Sequence, residues 1–518
     1  MEGTRWRGGA AAAIGVALGL ACGSASTFSC ADDGDCSGGV CAAGYCAFPD
    51  DTCDSHLRYG DHGGALAGLC VLPADETATS GETTTSGEMT SGPEPTTGPT
   101  VDDSTGADPT GSFEFLDDEA AEFSAGSMDG VVYADGHLRL IDAGTTGTFT
   151  SRVFDAGVIA QWEDLRWMPD APYAKPLPNA QAAETGYEFG AVDMSGNVWL
   201  AHFEEPGPLA AGTAIADGSG MGNAAQIVGS DASTAVPGVF GLALEDAVDA
   251  YVSIDTASGS FDFGVDDFTW SIWFRFTHDC ATNNVWMGIE DVVGGGDLEE
   301  HLWMGCSSSV WTDCPPVDPG PHAAGTLISQ QGADPEDGLP VCGEPGIDDG
   351  QWHHMLLTKE GHARSVVRFY VDAQLQSETT GSFAQPIVFD NDPDFAIGAF
   401  TGETYDSSAT LDESVIWRRA LTNDEIRGVY ERGASQLALE IRVCEDATCA
   451  DDPPFRGGED LVASEVFVDP SDALSPGTPL SVSGLPPGRY VQYRVTMHAA
   501  EASRPPALSS VRVGGAML

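Results

Sequence analysis

Lysine is almost missing from this chain. Lys175 and Lys359 are the only two in 518 residues, and 80 Asp and Glu face 21 Lys and Arg, for a formal net charge of -59. A surface this acidic repels nucleic acid and anionic lipid, which excludes both as partners; membrane contact is left to a lipid anchor. Long apolar runs are also missing after the first 25 residues, which excludes a permanent transmembrane helix. There is no HExxH, G-x-S-x-G, Walker A or dinucleotide fingerprint, so the common signatures of metalloprotease, hydrolase and nucleotide chemistry are lacking. No CxxC pair or CxxCH occurs among the cysteines, which argues against thiol-bound zinc and covalent haem. The length itself implies two or three folded domains.

The chain opens MEGTRWRGGAAAAIGVALGLACGSAST. Arg5 and Arg7 precede a short apolar run from Ala10 to Ala21, the layout of an export signal over residues 1–21. The run stops at Leu20-Ala21-Cys22, which resembles a bacterial lipobox with Cys22 as the lipid-bearing residue. The expected location is the cell surface as an outer-membrane lipoprotein; ordinary cleavage would instead release a secreted protein. Without Cys22, twelve of the 13 cysteines remain in even local groups. These are Cys30, Cys36, Cys41, Cys46, Cys53 and Cys70; Cys280, Cys306, Cys314 and Cys342; and Cys444 with Cys449. In an exported chain such groups read as disulfides, with connectivity open in the first two.

Residues 22–72 form a cysteine-dense module too poor in large apolar residues to fold without its cross-links. Asp32, Asp33 and Asp35 within it lack the spacing of an EF-hand loop. Residues 73–112 are Thr, Ser, Gly, Pro and acid, a disordered linker with almost nothing to bury. From Phe113 onward, short alternating strands separated by Gly, Asp and Pro clusters indicate an all-β sandwich architecture. GTFTSRVFDAG and QWEDLRW near the start, and ALEIRVCEDATC, GRYVQYRVTM and ALSSVRV near the end, are each too few to close a sheet. They are expected to share one outer β-sandwich, residues 113–191 plus 436–518, with a second domain, 192–435, inserted between them. The first set resembles the opening strands of discoidin-like modules.

LDESVIWRRALTNDEI, residues 411–426, decides how the acids are read. Strand alternation puts Leu411, Glu413, Val415 and Trp417 on one face and Asp412, Ser414 and Ile416 on the other. Asp412 and Glu413 then diverge and cannot flank a glycosidic bond as a catalytic pair. Thr422 and Glu425 form a capping box, Leu421 and Ile426 a hydrophobic staple, and Ile426, Val429 and Tyr430 one apolar helical face ended by Gly433. IEDVVGGGDLEEH, residues 289–301, reads as a solvated loop. Neighbouring His353 and His354 leave a strand on opposite faces, so they cannot chelate one metal together.

Eight stretches from GNVWLAHFEE through DGSGMGNAA, GVFGLALEDAVDAYVSI, DDFTWSIWFRF, DDGQWHHMLLTKEG, RFYVDAQL and FAIGAF to LDESVIWRRALTNDEI follow one order. Together they resemble the laminin G-like, concanavalin A-like lectin/glucanase jelly roll. Ala373 stands where that family commonly has Gly, and the stretch from Cys280 to Cys342 is longer than in simpler members. The resemblance implies one Ca2+ held by Asp217 and Asp412, with help from the Gly222-Asn223 region, where Asn223 suits a left-handed turn position. The alternative is that Asp217 only stabilises its own turn. The E-x-D-x-x-E run of glucanases sharing this fold is lacking, so no catalytic residue is assigned and the chain is not expected to be an enzyme. The implied function is a cell-surface binding protein recognising an extracellular glycan or protein. A structural or adhesive envelope protein without a sugar site is the alternative, and a glycan hydrolase with an unrecognised acid pair the third reading. Trp286, Trp303 and Trp311 are expected to form a small core beside the cysteine-rich stretch rather than a sugar platform.

Overall fold

The computed structural model describes residues 111–518 except 248, 278–283, 294–296, 308–321, 330–338, 384–385, 390–392, 401–406, 459, 464, 471 and 502. Of the first 110 residues it describes 36, 39–42, 45–49 and 57–59. The expected signal peptide, Cys22, Cys30, Cys53, Cys70, Cys280, Cys314, Trp311, the aspartates at 32, 33 and 35, and nearly all of the linker lie outside the described residues. Two compact units divide between Val101 and Asp102.

In the first unit, the strands Val40–Ala42, Tyr45–Pro49 and Leu57–Tyr59 pair antiparallel into a three-stranded sheet. A Cys36–Cys46 disulfide fastens it, in keeping with a module whose composition cannot supply a core.

The second unit is all-β with two large cores. One surrounds Trp199, Trp270, Trp286, Phe274 and Phe395, between a nine-stranded and an eight-stranded sheet. The strand Phe268–Arg275 lies between Trp352–Glu360 and Thr410–Trp417, and carries Trp270, Ile272 and Phe274 into this core. The second core, around Phe115, Phe149, Trp162, Trp167 and Tyr493, is enclosed by ten strands. Here Ser112–Asp117 pairs with Ala507–Met517, and Thr146–Thr150 pairs with Gly488–Ala499. The two ends of the unit therefore complete one sheet, because neither set alone can cover its apolar face.

Cys444 and Cys449 form a disulfide, and Cys306 and Cys342 are each disulfide-bonded. Trp286 and Trp303 are core residues: Trp286 stacks on Phe274 at 3.9 Å, and Trp303 packs with Val285 and Phe400. The 289–301 stretch is not the loop its glycines suggested. Asn284–Val293 and Asp297–Ser307 pair antiparallel, and His301 lies 2.7 Å from Glu290. At the Y-V-D-A turn, Asp372 and Ala373 take φ of 50° and 57°, the left-handed conformation for which Gly is the usual choice.

The helix Asn423–Ala434 begins with the expected capping box. The Glu425 N–H donates to Thr422 Oγ1 (3.3 Å), and the Thr422 N–H donates back to Glu425 Oε2 (2.8 Å). Gly433 does not end this helix; it lies inside the last turn. A Cβ there would come within 2.6 Å of both Trp273 and Val239, so the glycine serves close packing. The helix runs straight into the strand Ser435–Cys444 and so passes from one core to the other without a linker.

Candidate functional site

The strand Thr410–Trp417 breaks its own alternation. Ser271 faces Val415 and Trp273 faces Asp412, so two residues, Glu413 and Ser414, oppose Ile272 alone. This is a β-bulge, with Glu413 at φ 46°. Leu411 and Ile416 consequently point into the main core, while Val415 and Trp417 pack on the helix side with Ile426 and Val429. The expected common face of Leu411, Glu413, Val415 and Trp417 is therefore corrected: the extra residue reverses the face of everything after it.

Asp412 is completely buried. Its Oδ2 accepts the N–H groups of Val239 (2.8 Å) and Phe240 (3.1 Å), and its Oδ1 accepts that of Glu413 (2.9 Å). Burial, reinforced by Glu413, pushes this carboxyl well above the usual range despite those three donors. Asp217 sits in a different turn. Its Oδ1 accepts from Ser219 N (2.9 Å) and Leu200 N (3.3 Å), and its Oδ2 from Asn223 N (2.9 Å) and Asn223 Nδ2 (3.2 Å). Asn223 also donates to Val198 O (2.6 Å) and accepts from Ser258. The left-handed residues of that turn are Gly220 and Gly222, at φ 79° and 74°, and not Asn223. Asp217 and Asn223 thus meet, whereas Asp412 belongs to the Val239–Phe240 loop. Among the described residues no three His, Cys, Asp or Glu converge as a metal cluster. Oxygens already facing N–H groups do not fit a hard cation, which needs several oxygens free to turn toward it.

His353 and His354 serve separate roles, as expected. His354 is fully buried against Ser271 (2.6 Å), where burial pushes its imidazole down to about 4. His353 is held by Asp372 (2.7 Å) and Asp349 (3.3 Å).

The bulge brings together groups that the sequence reading did not combine. Asn197–Ala201 pairs with Thr410–Trp417 and ends at the Ala201–Ser414 pair, placing the next residue, His202, beside Glu413. His202 Nδ1 contacts Glu413 Oε1, its Nε2 lies 3.1 Å from Asn179 Oδ1, and Glu413 Oε2 accepts the Leu177 N–H (3.3 Å). Burial alone would lower the His202 imidazole, but Glu413, with Glu204 and Glu205 nearby, holds it above its ordinary value. Glu204 accepts the Leu242 N–H (3.2 Å), and burial keeps its carboxyl raised. Phe203 between them has φ 56°, and Ala174 and Ala180 have φ of 51° and 59°. Left-handed non-glycine residues cost about 1–3 kcal/mol each and gather where a site dictates the backbone.

Of these residues, Ala174, Leu177, Asn179, His202 and Glu204 border a cleft of about 770 Å³. One wall comes from the jelly-roll side, with His202, Glu204, Phe240 and Gly241; the other comes from residues 174, 176, 177 and 179, 466–470 and 472, and 480–481. Behind it, Arg432 is 1 % exposed and bonds Glu184 through both terminal nitrogens (2.7 and 3.0 Å). It also donates to the carbonyls of Lys175 (3.0 Å) and Pro176 (2.7 Å). Lys175, fully buried, lies 3.4 Å from Glu184 and 3.0 Å from the Tyr187 hydroxyl, which donates to Asp469 (2.5 Å). Burial lowers Lys175 and raises Asp469, whereas Arg432 and Lys175 overcome burial to hold Glu184 below its ordinary value. The only sequence-level hint of this cleft was composition: Lys175 is one of the chain's two lysines.

The sequence model described as the concanavalin A-like lectin/glucanases superfamily matches residues 246–427. No curated protein matches the chain. Among solved structures, domain 4 of an extracellular arabinanase from Geobacillus stearothermophilus, in complex with arabinotriose, is similar at 14 % identity and TM-score 0.32. The match covers 45 % of this chain and 98 % of that one. The binding domain of botulinum neurotoxin DC, in complex with rat synaptotagmin II, is similar at 12 % identity and TM-score 0.32, covering 49 % and 54 %. Trypanosoma rangeli sialidase in complex with the inhibitor DANA is similar at 16 % identity and TM-score 0.31, covering 46 % and 33 %. The chain thus spans about half the length of that toxin domain and a third of that sialidase.

Proposed function

We propose, for a chain whose residues 246–427 form a domain of the concanavalin A-like lectin/glucanase superfamily, that it is an exported, surface-displayed binding protein. Its ligand, an extracellular glycan or protein, enters the cleft between the two sandwiches. The observation that carries this reading is the cleft itself. It is large enough for a ligand, it is lined from both sandwiches, and Glu413 at the bulge and the buried Arg432 hold the backbone of its lining residues Leu177 and Pro176. Rigid walls reduce the ordering cost of binding.

Binding is favoured over turnover by the state of Glu413. It is 2 % exposed, and its oxygens are engaged by His202 and the Leu177 N–H, so neither is free to attack a bond or activate water. Ca2+ is not part of this reading, because the oxygens of Asp217 and Asp412 face N–H donors.

The test is an array of extracellular glycans and matrix proteins probed with the chain and with Ser481→Trp. Ser481 is an exposed lining residue, and an indole there would obstruct the cleft from a position outside both cores. Loss of every specific signal in the variant, with its thermal transition unchanged, is expected. Signals retained in the variant would place the site elsewhere.

A further inference from the structure

The ligand class can be narrowed, on the reading that the cleft is the ligand site. We propose that its occupant is an extended basic segment of a partner protein, docking as an added strand along residues 465–469.

Three observations converge. First, this segment alternates like a strand and pairs through Phe467; the backbone of Gly457 packs against Glu465 and Val466, but among the described residues no hydrogen-bonded neighbour lies on the side away from Leu439. Val466 and Val468 are 43 % and 37 % exposed and line the cleft, while Phe467 and Asp469 turn inward. Phe467 exchanges both backbone hydrogen bonds with Leu439 (2.9 and 2.7 Å). In an antiparallel pair the flanking residues then direct their N–H and C=O groups the other way. Among the described residues, the N–H groups of Val466 and Val468 have no backbone partner. That is the template an extended peptide uses for strand addition.

Second, the accessible charge is acidic. Glu204 and Asp472 line the cleft, the imidazole of His202 beside them is paired with Glu413, and among the described residues no Lys or Arg lines it. Lys175 and Arg432 are buried and committed to Glu184. A chain of net charge -59 reinforces the selection for Lys or Arg side chains on the incoming segment and speeds its arrival. Alternation along that segment puts apolar side chains on Val466 and Val468 and basic ones toward Glu204 and Asp472.

Third, a sugar would find no platform here. The aromatic lining residues, Phe240 and Phe467, are 6 % and 4 % exposed, so neither offers a ring face for stacking.

The experiment uses the full chain and five probes: a short alternating Lys–Val peptide, its Glu–Val counterpart, the Lys–Val peptide N-methylated at every residue so that neither edge can donate, a glucosamine oligomer and a neutral oligosaccharide. Saturable binding of Lys–Val alone is expected, weakening about tenfold when salt is raised from low to physiological strength. The Glu204→Gln/Asp472→Asn double variant should lose a similar factor, and N-methylation should abolish binding, since it removes the donors needed for strand addition. Equal binding of the N-methylated and plain peptides overturns strand addition. Binding of either saccharide in place of the peptide, with loss in Ser481→Trp, overturns the basic-segment inference and leaves the cleft as ligand site. If no probe binds, the inference fails. If a ligand from the array still binds Ser481→Trp, the underlying reading of the cleft fails as well.

Discussion

Arg432→Ala is expected to lower the unfolding free energy by about 3–5 kcal/mol, the cost of leaving a buried carboxylate without its partner. Glu184 is fully buried, and Arg432 supplies it with two charge-assisted hydrogen bonds. The same guanidinium holds the carbonyls of Lys175 and Pro176, so its loss also releases the connector that forms one cleft wall. Lys175, 3.4 Å from Glu184, would remain as a single cation beside Glu184 and Asp469, and it cannot reproduce the planar fork. Arg432→Lys should therefore recover only part of the loss. Chemical denaturation of the three proteins measures this. A loss below about 1 kcal/mol, the range of an exposed ion pair, would mean that the network does not join the two cores.

Asp412→Ala is expected to cost about 3 kcal/mol or more, because two buried N–H donors and a third partly buried one lose their acceptor at roughly 1–3 kcal/mol each. The donors belong to Val239, Phe240 and Glu413. Two of them fix the loop carrying Phe240 and Gly241 to the cleft, and the third sets the bulge. The loss should be the same in Ca2+ and in EDTA, since the carboxylate acts as an acceptor for backbone. A destabilisation that appears only when Ca2+ is present would instead make Asp412 a metal ligand, as its family resemblance implied.

The strands and the helix were readable because their signals are local. The capping box needs only Thr422 and Glu425 three positions apart, and the core tryptophans sit in recognisable strand patterns. The jelly-roll motifs added order along the chain, and the matched region falls within the expected domain. The bulge was not legible. LDESV carries no glycine to mark a left-handed residue, so simple alternation assigned the wrong faces. The cleft was hidden for another reason. Leu177 and Glu413 are 236 positions apart, and His202 and Glu413 are 211 apart. Only the register between Asn197–Ala201 and Thr410–Trp417 brings the imidazole and the carboxylate together. The hairpin over 284–307 was missed because three successive glycines outweighed the β-branched residues flanking them. The acidic residues, read one by one as solvated or metal-binding, turned out to differ by neighbour. Asp217 organises a turn, Asp412 anchors a loop, Glu413 holds His202, and Glu204 lines the cleft.

In the proposed function, ligand is held by both sandwiches at once. Backbone hydrogen exchange, measured on the chain with and without a ligand found on the array, tests it most directly. Protection is expected together around residues 202–205, 238–242, 465–470 and 480–481, the stretches that carry the two walls of one cleft. Protection confined to the jelly-roll strands, with 465–470 and 480–481 exchanging as in the free protein, would contradict it.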